Sequence, residues 1–295
     1  MWAILQKDSF FKSNYFIISI YIILIILITV VIRFPFNFKD VFGRDESTYL
    51  LMGKFLAEGE IPYVNYWEMK PVFSWYIYSL LYKLSFNSIF YFRFFGAILI
   101  ALNSSFLFLI SNKILKGLKK SLFIAILFSV AQSFLLLDGK EILTEHIVLT
   151  FFLVGLYAII NKKFYFVAGI FFCLSILIRL NFALPIMGIF IYVFFNFFKK
   201  KNNLFQLLKL TSPSVLIPFF ITAYYFYIGE FSIFFDSNVT IPRIYSTLGY
   251  DGKNVIDMLI IFLTSLLTPN DINIYNRFIF WVISFSGFLF LFKKM

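Results

Sequence analysis

The chain has 295 residues, of which 61% are hydrophobic and 14% are charged, whereas soluble domains average roughly 45–50% apolar and about 25% charged residues. This composition indicates an integral membrane protein and excludes disordered and collagen-like chains. The net charge is +11, and a single Cys and a single His exclude an internal disulfide and the usual zinc sites.

The first predicted element is an apolar run that begins at Tyr15 and predicts an uncleaved membrane span near 15–36. A run of this length crosses a hydrocarbon core of ~30 Å at about 1.5 Å per residue. Further apolar segments predict a total of eight spans, near 15–36, 89–112, 121–137, 146–160, 164–180, 182–198, 210–228 and 276–292. The sequence therefore predicts an all-α integral membrane protein whose residues 1–295 form a single polytopic membrane domain.

The lysines give the predicted orientation of these spans. Fourteen lysines lie at every second boundary of the predicted spans, and one acid, Asp8, accompanies them. These lysines are Lys7, Lys12, Lys113, Lys116, Lys119, Lys120, Lys162, Lys163, Lys199, Lys200, Lys201, Lys209, Lys293 and Lys294. By the positive-inside rule these boundaries and both termini are cytoplasmic. The loops 37–88, 138–145 and 229–275, here called the first, second and third loops, then lie outside the cell (inner or plasma) membrane. Because topology accounts for the positive charge, the sequence gives no support for a nucleic-acid partner.

Two apolar segments are too short to be spans. Residues 71–84 and 255–268 each comprise about 14 residues, below the roughly 17 that a span requires. They are predicted to be interfacial (juxtamembrane) helices of the first and third loops. The first of them is expected to present an aromatic belt at headgroup level, formed by Trp75, Tyr76, Tyr78 and Tyr82.

Acidic residues of the outer loops are the candidates for chemistry, because charge near the membrane is costly and usually functional. Asp45 is expected to be the N-cap of a helix over 46–57 that ends before Gly59, and the same position suits a general base for a hydroxyl acceptor. Acids in two outer loops are also what a divalent metal ion or a phosphosugar requires. The candidate metal ligands are Glu68, Asp138 and Glu145.

Three segments of the first loop resemble a known family. Gly-Arg-Asp-Glu-Ser-Thr-Tyr at 43–49, Gly-Glu-Ile-Pro-Tyr at 59–63 and Glu-Met-Lys-Pro at 68–71 are similar to the first-loop signature of the C-type (GT-C) membrane glycosyltransferases. The branch they resemble contains the protein O-mannosyltransferases and the lipid A aminoarabinose transferase (glycosyltransferase family 39-like). The resemblance covers roughly 35–200. It implies a GT-C-like fold and transfer of a sugar from a polyprenyl-phosphate donor to a glycan, lipid or protein acceptor at the extracytoplasmic face, with inversion.

The resemblance also implies roles for individual residues. Asp45 and Glu46 would be the catalytic carboxylates, with Asp45 as the base and Glu46 in support. The residues implied to bind substrate are Tyr49, Glu68, Lys70, Arg93, Glu145 and Arg179. Among them Lys70, Arg93 and Arg179 suit the leaving phosphate, although both arginines are also placed to snorkel to the interface. Some relatives use a divalent metal ion.

The chain departs from the family in three respects. Val72 replaces a common second Pro, and the single His lies beside Glu145 and not in the third loop, which bears on the metal seen with some relatives. The chain also ends after eight predicted spans where the family usually has more, which implies a short or C-terminally truncated member. A polytopic transporter or flippase and a non-catalytic membrane scaffold are the alternatives. A transporter favours ionisable residues near mid-membrane, and the third and fourth predicted spans contain only His146, at an edge.

Overall fold

A computed structural model describes residues 2–38, 43–134, 141–161, 164–199 and 203–248 of the chain. Within these ranges the chain is helical and contains no strand. The longer helices are α1 (Trp2–Arg33), α2 (Arg44–Ala57), α3 (Val72–Leu84), α4 (Ile89–Leu115), α5 (Leu118–Phe134), α6 (Thr144–Ile160), α7 (Tyr165–Ile178), α8 (Ala183–Phe198) and α9 (Leu204–Tyr227). Short 3₁₀ turns follow α1 at Phe34–Phe38 and precede α8 at Leu180–Phe182.

Four helical segments in the described part of the chain are long and apolar enough to cross a membrane. They are Tyr15–Phe38, Ile89–Leu115, Leu180–Phe198 and Leu204–Tyr227, and α6 and α7 are shorter apolar helices. The all-helical membrane architecture predicted from composition agrees with this result. Seven of the predicted spans coincide with α1 and α4 to α9, although the predicted end of the third, 135–137, and the whole of the eighth, 276–292, lie outside the described residues. The total of eight spans therefore stays a prediction.

Residues Met1–Phe231 form one compact unit, and α4 and α7 are the helices around which it packs. α4 contacts α1, α5 and α6, while α7 contacts α6, α9 and α3. Glycines allow the closest approaches: a side chain at Gly169 of α7 would collide with the Leu210 carbonyl of α9, and a Cβ at Gly155 would lie 2.7 Å from the Phe172 ring. The outward faces of α8 and α9 remain apolar and exposed, as helices facing lipid require.

The start of α2 differs from the prediction. The N-cap is Gly43, no side chain caps the helix, and Asp45 lies within the first turn. The expected capping role of Asp45 is therefore wrong, because the helix begins two residues earlier than the acid pattern suggests. The predicted end is confirmed: Gly59 follows the helix with φ +98°, the left-handed conformation that favours glycine.

The aromatic face of α3 also differs from the prediction. Trp75 and Tyr78 are 1% and 0% exposed, whereas Tyr76 is 52% exposed. α3 packs on α2 and contacts α4 and α7, so protein covers the face that was expected to lie among lipid headgroups. The belt of four aromatic residues is therefore wrong for Trp75 and Tyr78.

Residues 232–295 form a second unit. Its described part continues from α10 (Phe231–Phe235) through a π-helical turn (Asp236–Thr240) into α11 (Ile241–Leu248). The short helix predicted at 255–268 lies outside the described residues.

Candidate functional site

Glu46, predicted as a catalytic carboxylate, is completely buried. Its Oε2 accepts a hydrogen bond from Nη2 of Arg93 on α4 at 2.9 Å, and this ion pair is 0% and 1% exposed. Arg93 also donates to the Phe36 carbonyl at 3.2 Å. The snorkelling alternative for Arg93 is wrong, because protein encloses its guanidinium. The pair ties α2 to α4 instead of facing a substrate.

The backbone of Ile142 makes one hydrogen bond through its N–H and another through its carbonyl. Its N–H donates to Oε1 of Glu46 at 3.1 Å, and its carbonyl accepts from the Tyr78 hydroxyl of α3 at 2.9 Å. Burial raises the pKa of Tyr78 well above its usual range, so the hydroxyl keeps the proton that it donates. These bonds attach the start of α6 to both helices of the first loop.

Glu145 and Arg179, far apart in sequence, form an ion pair. Arg179 Nη1 also donates to the Thr144 hydroxyl at 2.9 Å, and that hydroxyl donates to Glu145 Oε2 at 3.0 Å. Arg179 is 27% and Glu145 23% exposed, so both charges remain accessible at the end of α7 and the start of α6. The snorkelling alternative for Arg179 stays a prediction beside this ion pair.

Tyr49 lies on α2, within the first loop, and interacts electrostatically with Glu145 and Arg179. It is 4% exposed, its ring packs on Tyr78 at 5.2 Å between centroids, and Lys70 Nζ lies 5.3 Å from its ring centroid. Burial raises the pKa of the Tyr49 hydroxyl above its usual range; Asp45, Glu145 and Glu68 add to the rise and Arg179 opposes it. We call this set the Tyr49 cluster: Asp45, Tyr49, Glu68, Lys70, Glu145 and Arg179.

The part of the first loop that contains Lys70 is held by aromatic residues. The Tyr63 hydroxyl donates to the Lys70 carbonyl at 2.6 Å, and the Tyr225 hydroxyl of α9 donates to the Pro62 carbonyl at 3.1 Å. Tyr63 has a φ of +69° and packs edge-on against Trp75. The loop is thus fixed against α3 and α9, which gives Lys70 a defined position beside Tyr49.

Asp45 is the exposed acid of the cluster. It follows the helix start directly, within the first turn of α2, while the neighbouring Glu46 faces the interior. A carboxylate in the first turn of a helix is stabilised in its charged form by the backbone N–H groups there. Asp45 is therefore an accessible carboxylate in the first turn of the helix that also carries buried Tyr49.

The candidate metal ligands do not assemble a metal site in the described part of the chain. No group of three or more His, Cys, Asp or Glu residues there is arranged to hold an ion. Glu145 is engaged by Arg179 and Thr144, and Glu68 Oε1 accepts the Met69 N–H at 3.0 Å. Asp138 lies outside the described residues.

Sequence reasoning missed two polar residues next to the site. Arg33 ends α1 completely buried, although its position at the end of an apolar run suggested only a span boundary. The Glu141 carboxylate lies directly over Gly43, so closely that any side chain at 43 would displace it. The signal for Arg33 is its charge at membrane level, which is usually functional; Glu141 has no comparable signal.

The chain matches no protein-family model, no curated protein and no solved structure. The comparison with the C-type glycosyltransferases thus rests on the quoted motif residues.

Proposed function

We propose that this chain is a membrane glycosyltransferase with a GT-C-like fold. It transfers a sugar from a polyprenyl-phosphate donor to a glycan, lipid or protein acceptor at the extracytoplasmic face of the cell membrane, with inversion. One observation supports this proposal above the others: buried Tyr49 lies beside Lys70 of the first loop and within electrostatic reach of Asp45, Glu68, Glu145 and Arg179. These are residues that the resemblance implies, and they come from three separate parts of the sequence.

The reaction is a single displacement at the anomeric carbon. Asp45 accepts the proton of the acceptor hydroxyl as its oxygen attacks that carbon. The bond between the anomeric carbon and the phosphate oxygen breaks, its electron pair leaves with the polyprenyl phosphate, and the configuration inverts. Exposure of Asp45 suits this role, since the acceptor must reach the carboxylate.

The departing phosphate carries developing negative charge that nearby cations stabilise. Lys70 and Arg179 are the cations of the Tyr49 cluster that provide this stabilisation, because both are only partly buried. Arg93 is excluded from direct contact by its enclosed pair with Glu46. Glu68 and Glu145 orient these two cations and the substrate hydroxyls.

Glu46 acts as a positioning residue in this mechanism. Its carboxylate binds Arg93 and the Ile142 N–H, and through them it fixes the first turn of α2, where Asp45 lies. In this proposal Glu46 supports Asp45 through the backbone of α2.

The test compares Asp45→Asn with wild type in membranes of the producing cells, which contain the natural acceptors. Transfer of label is followed from radiolabelled polyprenyl-phosphate hexose and pentose at matched protein levels. We expect wild type to transfer label and Asp45→Asn to lose about 10²-fold or more of the rate, with unchanged thermal unfolding because Asp45 caps nothing.

Glu58→Gln is the matched control, since Glu58 is an exposed carboxylate at the other end of the same helix and pairs only with Lys54. It should transfer at the wild-type rate. Near-wild-type transfer by Asp45→Asn would contradict the mechanism. Absence of transfer from both donors by the intact wild-type chain would favour the transporter or scaffold.

A further inference from the structure

Arg33 is a buried cation without a hydrogen bond in the described part of the chain. Its side chain is 0% exposed, and none of its three guanidinium nitrogens has an acceptor there. The Phe36 ring faces the guanidinium at 5.6 Å, which gives a cation–π contact but does not accept the N–H groups in the manner of an oxygen atom. Burial of a charge without a hydrogen-bonding partner is strongly unfavourable, and a further group beside Arg33 would relieve that cost.

The charges around Arg33 do not balance. Arg33 interacts electrostatically with Glu46 and with Arg93, which places one carboxylate between two guanidinium groups. One oxygen of Glu46 accepts from Arg93 and the other from the Ile142 N–H, and neither accepts a hydrogen bond from Arg33. Among the described residues the Arg33 guanidinium thus has no hydrogen-bonded counter-ion, which an anion would supply.

A second buried polar group lies four residues further along the chain. Asn37 is 2% exposed, and neither its amide nitrogen nor its amide oxygen has a partner among the described residues. Opposite Arg33, α4 has Gly96, over which the Ile142 side chain packs: a Cβ there would lie 2.5 Å from Ile142 Cγ1 and 3.6 Å from Arg33 Nη2. The end of α1 thus places unpaired donors where α1, α4 and the segment before α6 meet.

We propose that Arg33 is the recognition residue of a buried oxyanion site of the phosphate class. A guanidinium presents five N–H donors in a planar fork that matches phosphate oxygens, and an anion there would balance the second buried arginine. The phosphate group comes either from inorganic phosphate or from a lipid-linked phosphate. Arg33 lies ten residues before the first-loop motif, and the site does not depend on sugar transfer.

The test is thermal unfolding of the purified full chain in lipid nanodiscs, titrated with sodium phosphate and with sodium chloride at matched ionic strength. A second arm adds a polyprenyl phosphate to the nanodisc lipids. The midpoint of wild type should rise with phosphate or with polyprenyl phosphate and not with chloride, and the arm that responds identifies the source.

Two substitutions of Arg33 make the test specific. Arg33→Met should abolish the response and raise the midpoint without added anion, because an apolar side chain replaces an uncompensated charge. Arg33→Lys keeps the positive charge but lacks the planar set of guanidinium donors. It should need about tenfold more phosphate for the same rise of the unfolding midpoint. Lys83→Met removes an exposed cation at the end of α3 and should respond as wild type does. Absence of a wild-type response to either phosphate source, or an equal response by Arg33→Met, would overturn the proposal. Because the readout is stability, failure of the sugar-transfer assay would leave this result unaffected.

Discussion

The carboxylate of Glu46 and the guanidinium of Arg93 form an ion pair at 2.9 Å that protein surrounds completely. The pair joins α2, which follows the first predicted span, to α4, which coincides with the second predicted span. This pair explains why Glu46 faces inward although it belongs to a polar motif of the first loop. It also attaches the first loop to the helical bundle.

Breaking this pair from one side should be strongly destabilising. Glu46→Gln leaves Arg93 and Arg33 without their carboxylate, and Arg93→Met leaves Glu46 without its guanidinium, so each should cost about 3–5 kcal/mol of unfolding free energy. The double variant should cost less than the sum of the single variants, which a double-mutant cycle in detergent measures. The matched control is Glu58→Gln in the exposed pair with Lys54 at 3.7 Å, with an expected loss of about 0.5 kcal/mol or less. Additive single effects would refute the coupling.

Two glycines should respond to the same substitution with opposite signs. A Cβ at Gly53 of α2 would collide with the backbone of Tyr78 and Ser79 in α3, and Gly53→Ala should cost about 1–3 kcal/mol by forcing these helices apart. Gly188 in α8 has nothing within 4 Å of the added atom, and Gly188→Ala should stabilise by about 0.5–1 kcal/mol through helix propensity. Thermal unfolding of the two variants measures the difference. A neutral Gly53→Ala would show that α2 and α3 are not in contact.

Tyr49 should make the protein less stable at alkaline pH. The unfolded tyrosine titrates near about pH 10, while burial and then Asp45 and Glu145 raise its pKa in the folded chain. Above that pH the unfolded state loses a proton that the folded state keeps, so the free energy of unfolding falls as pH rises. The slope attributable to Tyr49 reaches at most about 1.4 kcal/mol per pH unit. The free energies of unfolding of wild type and Tyr49→Phe, measured between neutral and alkaline pH, isolate the contribution of Tyr49, because all other titratable groups are common to both. Parallel pH profiles would contradict the burial of the hydroxyl in solution.

The predicted orientation can be tested with two engineered cysteines in a Cys173→Ala background. Glu60 of the first loop and Lys119 at the start of α5 are both exposed, but the positive-inside rule places them on opposite sides of the membrane. An impermeant thiol reagent should label Glu60→Cys in intact cells and label Lys119→Cys only after lysis. The lysed sample is the control for reactivity. Labelling of Lys119→Cys in intact cells would reverse the topology.

The sequence predicted the long apolar helices well, because a hydrocarbon core selects for length and hydropathy that can be read locally. It misassigned Glu46 for a different reason. The buried residues of α2 are Glu46, Tyr49, Met52 and Gly53, which recur with a helical period. The partners of Glu46 are Arg93 of another helix and the Ile142 N–H, and no local pattern reports such partners.

Contacts between distant segments could not be predicted from local sequence patterns either. The resemblance implied that Glu145 and Arg179 belong to one site, but their ion pair depends on the way α6 packs on α7. The two hydrogen bonds of Ile142 involve only its backbone, which carries no residue-specific signal. Aromatic residues of α3 were misassigned because amphipathic patterning does not distinguish a lipid-facing surface from one that another helix covers.

The hydrogen bond between Tyr225 and Pro62 has a consequence for biosynthesis. The tyrosine that anchors the loop around Pro62 is synthesised 163 residues after the loop itself. Since chains emerge from the ribosome N-terminal end first, the first loop is delivered long before α9 exists. Nascent chains arrested before Tyr225 should consequently leave the loop around Pro62 open to protease, and its protection should appear only once α9 has been inserted.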